Sequence, residues 1–128
     1  MGNRMIIIAQ EPTDFTVTLD QFRQASTFWG PHASLVGGVS ETDPVDANIQ
    51  VERPGEPFFQ IFHFTSNAML STDGTEEQAA EVAAWAVNTF PKTGPGELWM
   101  TDRGYSGHSV LTPGITATDV WKGWQEHH

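Results

Sequence analysis

Cysteine is absent from the 128-residue chain. That excludes a disulfide framework, a thiolate zinc or iron–sulfur site and a cysteine nucleophile. Basic side chains are scarce: 6 Lys and Arg stand against 16 Asp and Glu, a formal net charge of −10. Nucleic acid is therefore not the expected partner, because phosphate binding needs a basic face. Long apolar runs are missing too. The aliphatic stretch Met5–Ala9 falls far short of the ~20 residues that span a bilayer. It is also too short for a signal-peptide core, and no small-residue cleavage site follows it. Met1-Gly2 opens like a myristoylation signal, but Ile6 stands where Ser or Thr is needed. The expectation is a soluble, cytoplasmic protein with no membrane partner.

What is present argues for a packed core. Hydrophobic residues make up 38% of the chain, with 5 Trp and 8 Phe, too apolar a composition for a disordered segment. The length fits one domain over residues 1–128. Charge is unevenly spread. Glu41, Asp43, Asp46, Glu52, Glu56, Asp73, Glu76, Glu77 and Glu81 are opposed within their segment only by Arg53, nine acids to one base or −8. Seven acids and five bases elsewhere leave −2.

Periodicity predicts the elements. Met5–Ala9 and Phe15-Thr16-Val17 read as short strands. Thr18 and Gln21 form a capping box before a helix with Leu19, Phe22, Ala25 and Trp29 on one stripe, ended by Gly30-Pro31. Ser40–Ala47 reads as an acidic loop and Asn48–Arg53 as an alternating strand. Phe58 to Thr65 is the strongest strand, with faces Phe58/Gln60/Phe62/Phe64 and Phe59/Ile61/His63, covered on both sides or covered on one and pocketed on the other. Asn67 marks a turn before a strand over Ala68–Thr72. Thr75 and Gln78 box a second helix, with Glu76 and Glu77 in its first turn, a small-residue stripe behind, and Pro91 after it. Lys92–Gly96 reads as a loop. Glu97–Thr101 and Tyr105–Leu111 form a hairpin in which Gly104 is expected to take positive φ. Thr116 and Asp119 box a short helix carrying Val120, Trp121 and Trp124. Short connections favour antiparallel neighbours. The expected fold class is α+β: an antiparallel or mixed sheet of about five to seven strands with about three α-helices mainly on one face, in a single two-layer domain.

No catalytic signature emerges. His63, on an apolar strand, reads first as a hydrogen-bonded core histidine and second as an acid, base or ligand. Around the hairpin, Asp102 and His108 with Ser106 or Ser109 resemble a triad on paper. However, strand alternation separates Ser109 from His108, and no nucleophile elbow is present. Arg103 at the turn tip is a candidate anion contact. Metal binding is not expected: His32, His63 and His108 are scattered, and Glu41, Asp43 and Asp46 lack a calcium-loop pattern. No phosphate loop or dinucleotide fingerprint implies a cofactor. Trp29, Trp85 and Trp99 are assigned to the core, whereas Trp121 and Trp124 are read as pinning the terminal helix. The His127-His128 pair is given no role.

Two functions remain. One is a small, non-catalytic binding or regulatory protein that docks on a basic protein through Glu41, Asp43, Asp46, Glu76, Glu77 and Glu81. Its size, acidity and missing motifs are similar, in composition alone, to those of immunity and inhibitor proteins. The alternative is a small-molecule-binding domain or minor enzyme with a pocket over the aromatic sheet face, using His63, Arg103, His108 and Trp99. Convergence of the histidines and Arg103 in one cavity favours the second. Their separation, together with a continuous acidic face, favours the first.

Overall fold

In the computed structural model, residues 4–11, 13–37 and 45–127 are described. Among these residues the fold is α+β with three α-helices, as expected, but the main sheet has eight strands, one more than the upper expectation. The strands are β1 (Met5–Ala9), β3 (Ala33–Gly37), β4 (Val45–Val51), β5 (Phe59–Phe64), β6 (Met69–Thr72), β8 (Leu98–Asp102), β9 (Gly107–Leu111) and β10 (Gln125–Glu126). Their order is β10-β9-β8-β1-β6-β5-β4-β3. Every neighbouring pair is antiparallel, so the mixed option does not arise. A separate two-stranded pairing joins β2 (Asp14–Phe15) to β7 (Lys92–Thr93), within the segment expected as a loop. Two-residue strands such as β7 and β10 carry no periodicity of their own and form only because a partner edge lies beside them.

The helices begin where their caps dictate. At α1 (Leu19–Ala25), the Thr18 hydroxyl accepts from the Gln21 backbone N–H while the Gln21 side chain accepts from Thr18 N–H. The same reciprocal pair, Thr75 and Gln78, starts α2 (Glu76–Thr89). Each box satisfies two otherwise orphaned donors. The first helix is shorter than its apolar stripe suggests: Ser26–His32 tightens into a 3-10 segment broken by Gly30 at φ 79°. Trp29 is therefore presented from this segment and not from the helix. The third box is incomplete. Thr116 donates to the Asp119 carboxylate, and no side chain caps the backbone of α3 (Ala117–Val120).

Register divides the sheet into two unlike faces. Met5 and Ile7 share one face with Ile49, Ile61, His63, Leu70, Met100 and Leu111, all buried. Phe22 of α1, Trp29, and the alanine-rich side of α2 (Ala79, Ala80, Ala83 and Ala86) pack into this core. The opposite face carries Ile6, Ile8, Phe62, Phe64, Met69, Trp99 and Val110, each half-buried. Arg4 lies over the Phe62 ring there, 4.4 Å from its centre. Trp99 thus belongs to the open face, not the core. Its flanking apolar residues indicate a strand but not which side the helices cover.

The C-terminal segment is pinned, as expected of its tryptophans. Trp121 Nε1 donates to the Glu76 carbonyl at 2.7 Å, and the Trp124 indole fills the space above Gly107. The chain then adds β10 beside β9. No helix among the described residues is long and apolar enough to cross a membrane.

Candidate functional site

His63 is fully buried and both its ring nitrogens are engaged. Nδ1 lies 2.5 Å from Asp46 Oδ1, and Nε2 lies 2.6 Å from the Val17 carbonyl oxygen. A bulge makes the first contact possible. Val45 pairs with Phe64 and Ala47 with His63, so Asp46 is the extra residue in β4, and its carboxylate reaches the side of the sheet where His63 lies. A carbonyl can only accept, so Nε2 carries a hydrogen. The Asp46 carboxylate holds the other ring nitrogen, so each nitrogen faces one oxygen. The ring of Phe22 tilts over His63 at 5.2 Å. The imidazole thus joins β4, β5 and the chain entering α1, with no nitrogen turned to solvent.

His108 lies on the other face. Leu70 pairs with both His63 and Ile7, Ile7 with Met100, and Met100 with Ser109, which places Ser109 with His63 and its neighbour His108 opposite. There His108 stacks on Trp99 at 3.7 Å, and its Nδ1 is 2.7 Å from His127 Nε2. His127 in turn donates through Nδ1 to the Tyr105 carbonyl. The contact of His127 is one that sequence reasoning misses, because only the β9–β10 pairing brings the chain end over Trp99. Asp102 does not orient His108. It accepts from the backbone and hydroxyl of Ser106, and the Ser106 hydroxyl holds the carboxyl below its usual range. The residue with positive φ in this turn is Tyr105 at 52°, not Gly104. Arg103 is exposed and lines a small cleft of about 130 Å³ with Arg4 and Asp102. His63, His108 and Arg103 therefore share no cavity, and no triad forms from Asp102, His108 and Ser106 or Ser109.

The six acidic residues expected to form a docking face are placed in four different ways. Glu41 and Asp43 lie outside the described residues, and Asp46 turns to His63. Glu76 and Glu77 are exposed in the first turn of α2. Glu81, one turn further, binds Arg53 through both oxygens at 2.9 and 3.1 Å. Arg53 also binds Glu56 at 2.8 Å, while its guanidinium packs over Phe59 and Trp29. The hydrogen bond to Glu81 holds the Arg53 side chain still more firmly in its charged form. One arginine thus joins the β4–β5 turn to α2, drawing Glu56 and Glu81 onto one side of the molecule. Gln78 reinforces the junction by donating to the Pro57 carbonyl at 2.8 Å.

No family model matches this chain, and neither does any curated protein or solved structure.

Beside the acidic junction lies a groove of about 280 Å³ over the last turns of α2. Glu81, Ala84, Trp85, Asn88 and Thr89 line it along the helix, with Phe28 from the 3-10 segment and Ala117 from α3 completing it. Phe28 is 67% exposed, an unusual position for a large apolar ring. A cleft of about 490 Å³ elsewhere, between the start of β2 and the Ser66–Ala68 turn, is lined by both polar and apolar groups, including Glu11, Asp14, Ser66 and Asn67. Among the described residues no group of three or more His, Asp or Glu is arranged to hold a metal ion.

Proposed function

We propose that this chain is a non-catalytic binding or regulatory protein of the immunity or inhibitor kind, acting in the cytoplasm, which docks on a basic protein through the acidic side formed by α2 and the β4–β5 turn. The observation that carries the reading is the Arg53 clamp. Two carboxylates from distant parts of the chain meet on one guanidinium, so the local sum stays negative, and Glu76 and Glu77 extend the surface along the helix. Such a surface steers a positive partner and favours its register. The adjoining exposed Phe28 supplies the aromatic anchor that protein interfaces concentrate. The alternative, a ligand pocket built on His63, His108, Arg103 and Trp99, has the weaker support, since these residues are divided between the two sheet faces and the turn tip.

The test is affinity capture over the immobilised chain at low and high ionic strength, in parallel with a Glu76→Lys/Glu77→Lys variant. A basic protein retained at low salt, released at high salt and lost by the variant is the expected result. Retention of no basic protein, or retention indifferent to both salt and charge reversal, rejects the reading.

A further inference from the structure

The geometry points to the groove between Phe28 and α3 as a receptor for one arginine side chain of the partner, a specific inference that rests on the docking reading above. Three independent features favour a cation there. The first is aromatic. Phe28 and Trp85 both line the groove with their rings near parallel, 28° apart and 6.5 Å between centres. The face of an aromatic ring attracts a cation, and a planar guanidinium can stack on it. Trp85 is 4% exposed and fixed by Trp29, Phe22 and Phe90, so it backs the groove as a rigid floor, and the ring that offers its face is Phe28, 67% exposed.

The second feature is the Glu81 carboxylate. Its two oxygens each accept one hydrogen bond from Arg53, which leaves further acceptor positions on a side chain that is 35% exposed. Arg53, the neighbouring base, is itself occupied by Glu81 and Glu56. The third feature is the helix end. The groove overlies Ala84–Asn88, close to the C-terminus of α2, where the backbone dipole is negative. No basic residue occupies the last turn of α2. Asn88 stands there instead, with its amide used up in bonds to Ala84, Ile115 and Gly114.

The shape of the groove suits a side chain. At about 280 Å³ the groove lies at the lower end of the roughly 300–1,000 Å³ of small-molecule pockets. It is open along one side and suits the end of a single long side chain delivered by a protein surface. Ala84 and Ala117 keep the space clear, since a larger residue at either position would extend into it.

The experiment is a two-dimensional amide and indole NMR titration of the intact protein. The probe is a capped pentapeptide with one arginine flanked by glycines, compared with the same peptide carrying citrulline, which keeps the shape and removes the charge. Arginine peptide is expected to shift the Trp85 indole and the Ala84, Asn88 and Ala117 amides, with citrulline peptide producing little change. Phe28→Leu keeps an apolar wall but removes the ring face, and should weaken arginine binding by roughly two- to fivefold. Because Phe28 is largely exposed, its replacement leaves the fold intact, which the remaining resonances report. Equal shifts with citrulline, or wild-type affinity in Phe28→Leu, would overturn the inference. Shifts confined to Glu76 and Glu77 would overturn the groove while leaving the acidic docking surface standing. No shift at either place would overturn the groove, while the docking surface stands or falls by the capture experiment.

Discussion

At the scale of single residues, His63 shows how a side chain of high chemical potential is spent on architecture. A lone histidine on an apolar strand could serve catalysis or packing, and the arrangement of its two nitrogens decides between them. Both face oxygens, one of a carboxyl group and one of a backbone carbonyl, inside a core that admits no solvent to the ring. Removing either partner leaves a buried polar group unmatched, which is costlier than the worth of the intact pair. His63→Ala should therefore lower unfolding free energy by about 3–5 kcal/mol. Asp46→Ala should also destabilise, because it leaves the buried Nδ1 of His63 without a partner. Urea denaturation followed by tryptophan fluorescence checks both. A loss well under 1 kcal/mol for His63→Ala would show that the ring is dispensable to the fold.

At the scale of elements, legibility in the sequence tracks the range of the causes. The helix starts at Thr18 and Thr75 are readable because donor, acceptor and partner lie within four residues. The two faces of β5 are readable because alternation is local: Phe59, Ile61 and His63 are buried, and Phe62 and Phe64 are half-buried. Causes that act across the sheet leave no such trace. The bulge at Asp46 depends on pairing with β5, the open-face position of Trp99 depends on which side the helices cover, and the Arg53 clamp joins residues 28 positions apart. The last strand, β10, is the extreme case. It is held because Gly107 leaves room for Trp124: a Cβ there would come within 2.6 Å of the indole and 2.7 Å of the Gln125 carbonyl. Gly107→Ala should thus push the Trp121–Glu126 segment off β9, at a cost of about 1–3 kcal/mol. Hydrogen exchange should accelerate in that segment while α2 keeps its protection. Unchanged exchange at Trp124 and Gln125 would mean that the close contact does not hold the chain end.

At the scale of the molecule, charge and apolar surface oppose one another. The helical side of the protein carries the acidic junction, whereas the open side of the sheet presents Ile6, Ile8, Phe62, Phe64, Met69 and Trp99, half-buried and adjacent across β1, β5, β6 and β8. An apolar face of this kind attracts other copies, and a net charge of −10 at pH 7 repels them. The balance shifts as carboxylates gain protons, and repulsion disappears near the isoelectric point of about 4.6. Self-association should therefore set in as pH falls towards that value, and added salt should raise the pH of onset by screening the remaining repulsion. Phe64→Lys places a positive charge on the open face without touching the acidic junction. It raises the isoelectric point slightly, which by charge alone would bring association on at higher pH. If the open face is the contact, the variant should instead resist association, because pairing would bury an ammonium group against a hydrophobic surface. Light scattering across the pH range separates these opposite shifts. Onset at higher pH in Phe64→Lys would mean that net charge alone governs solubility, and onset at lower pH that copies meet through the sheet.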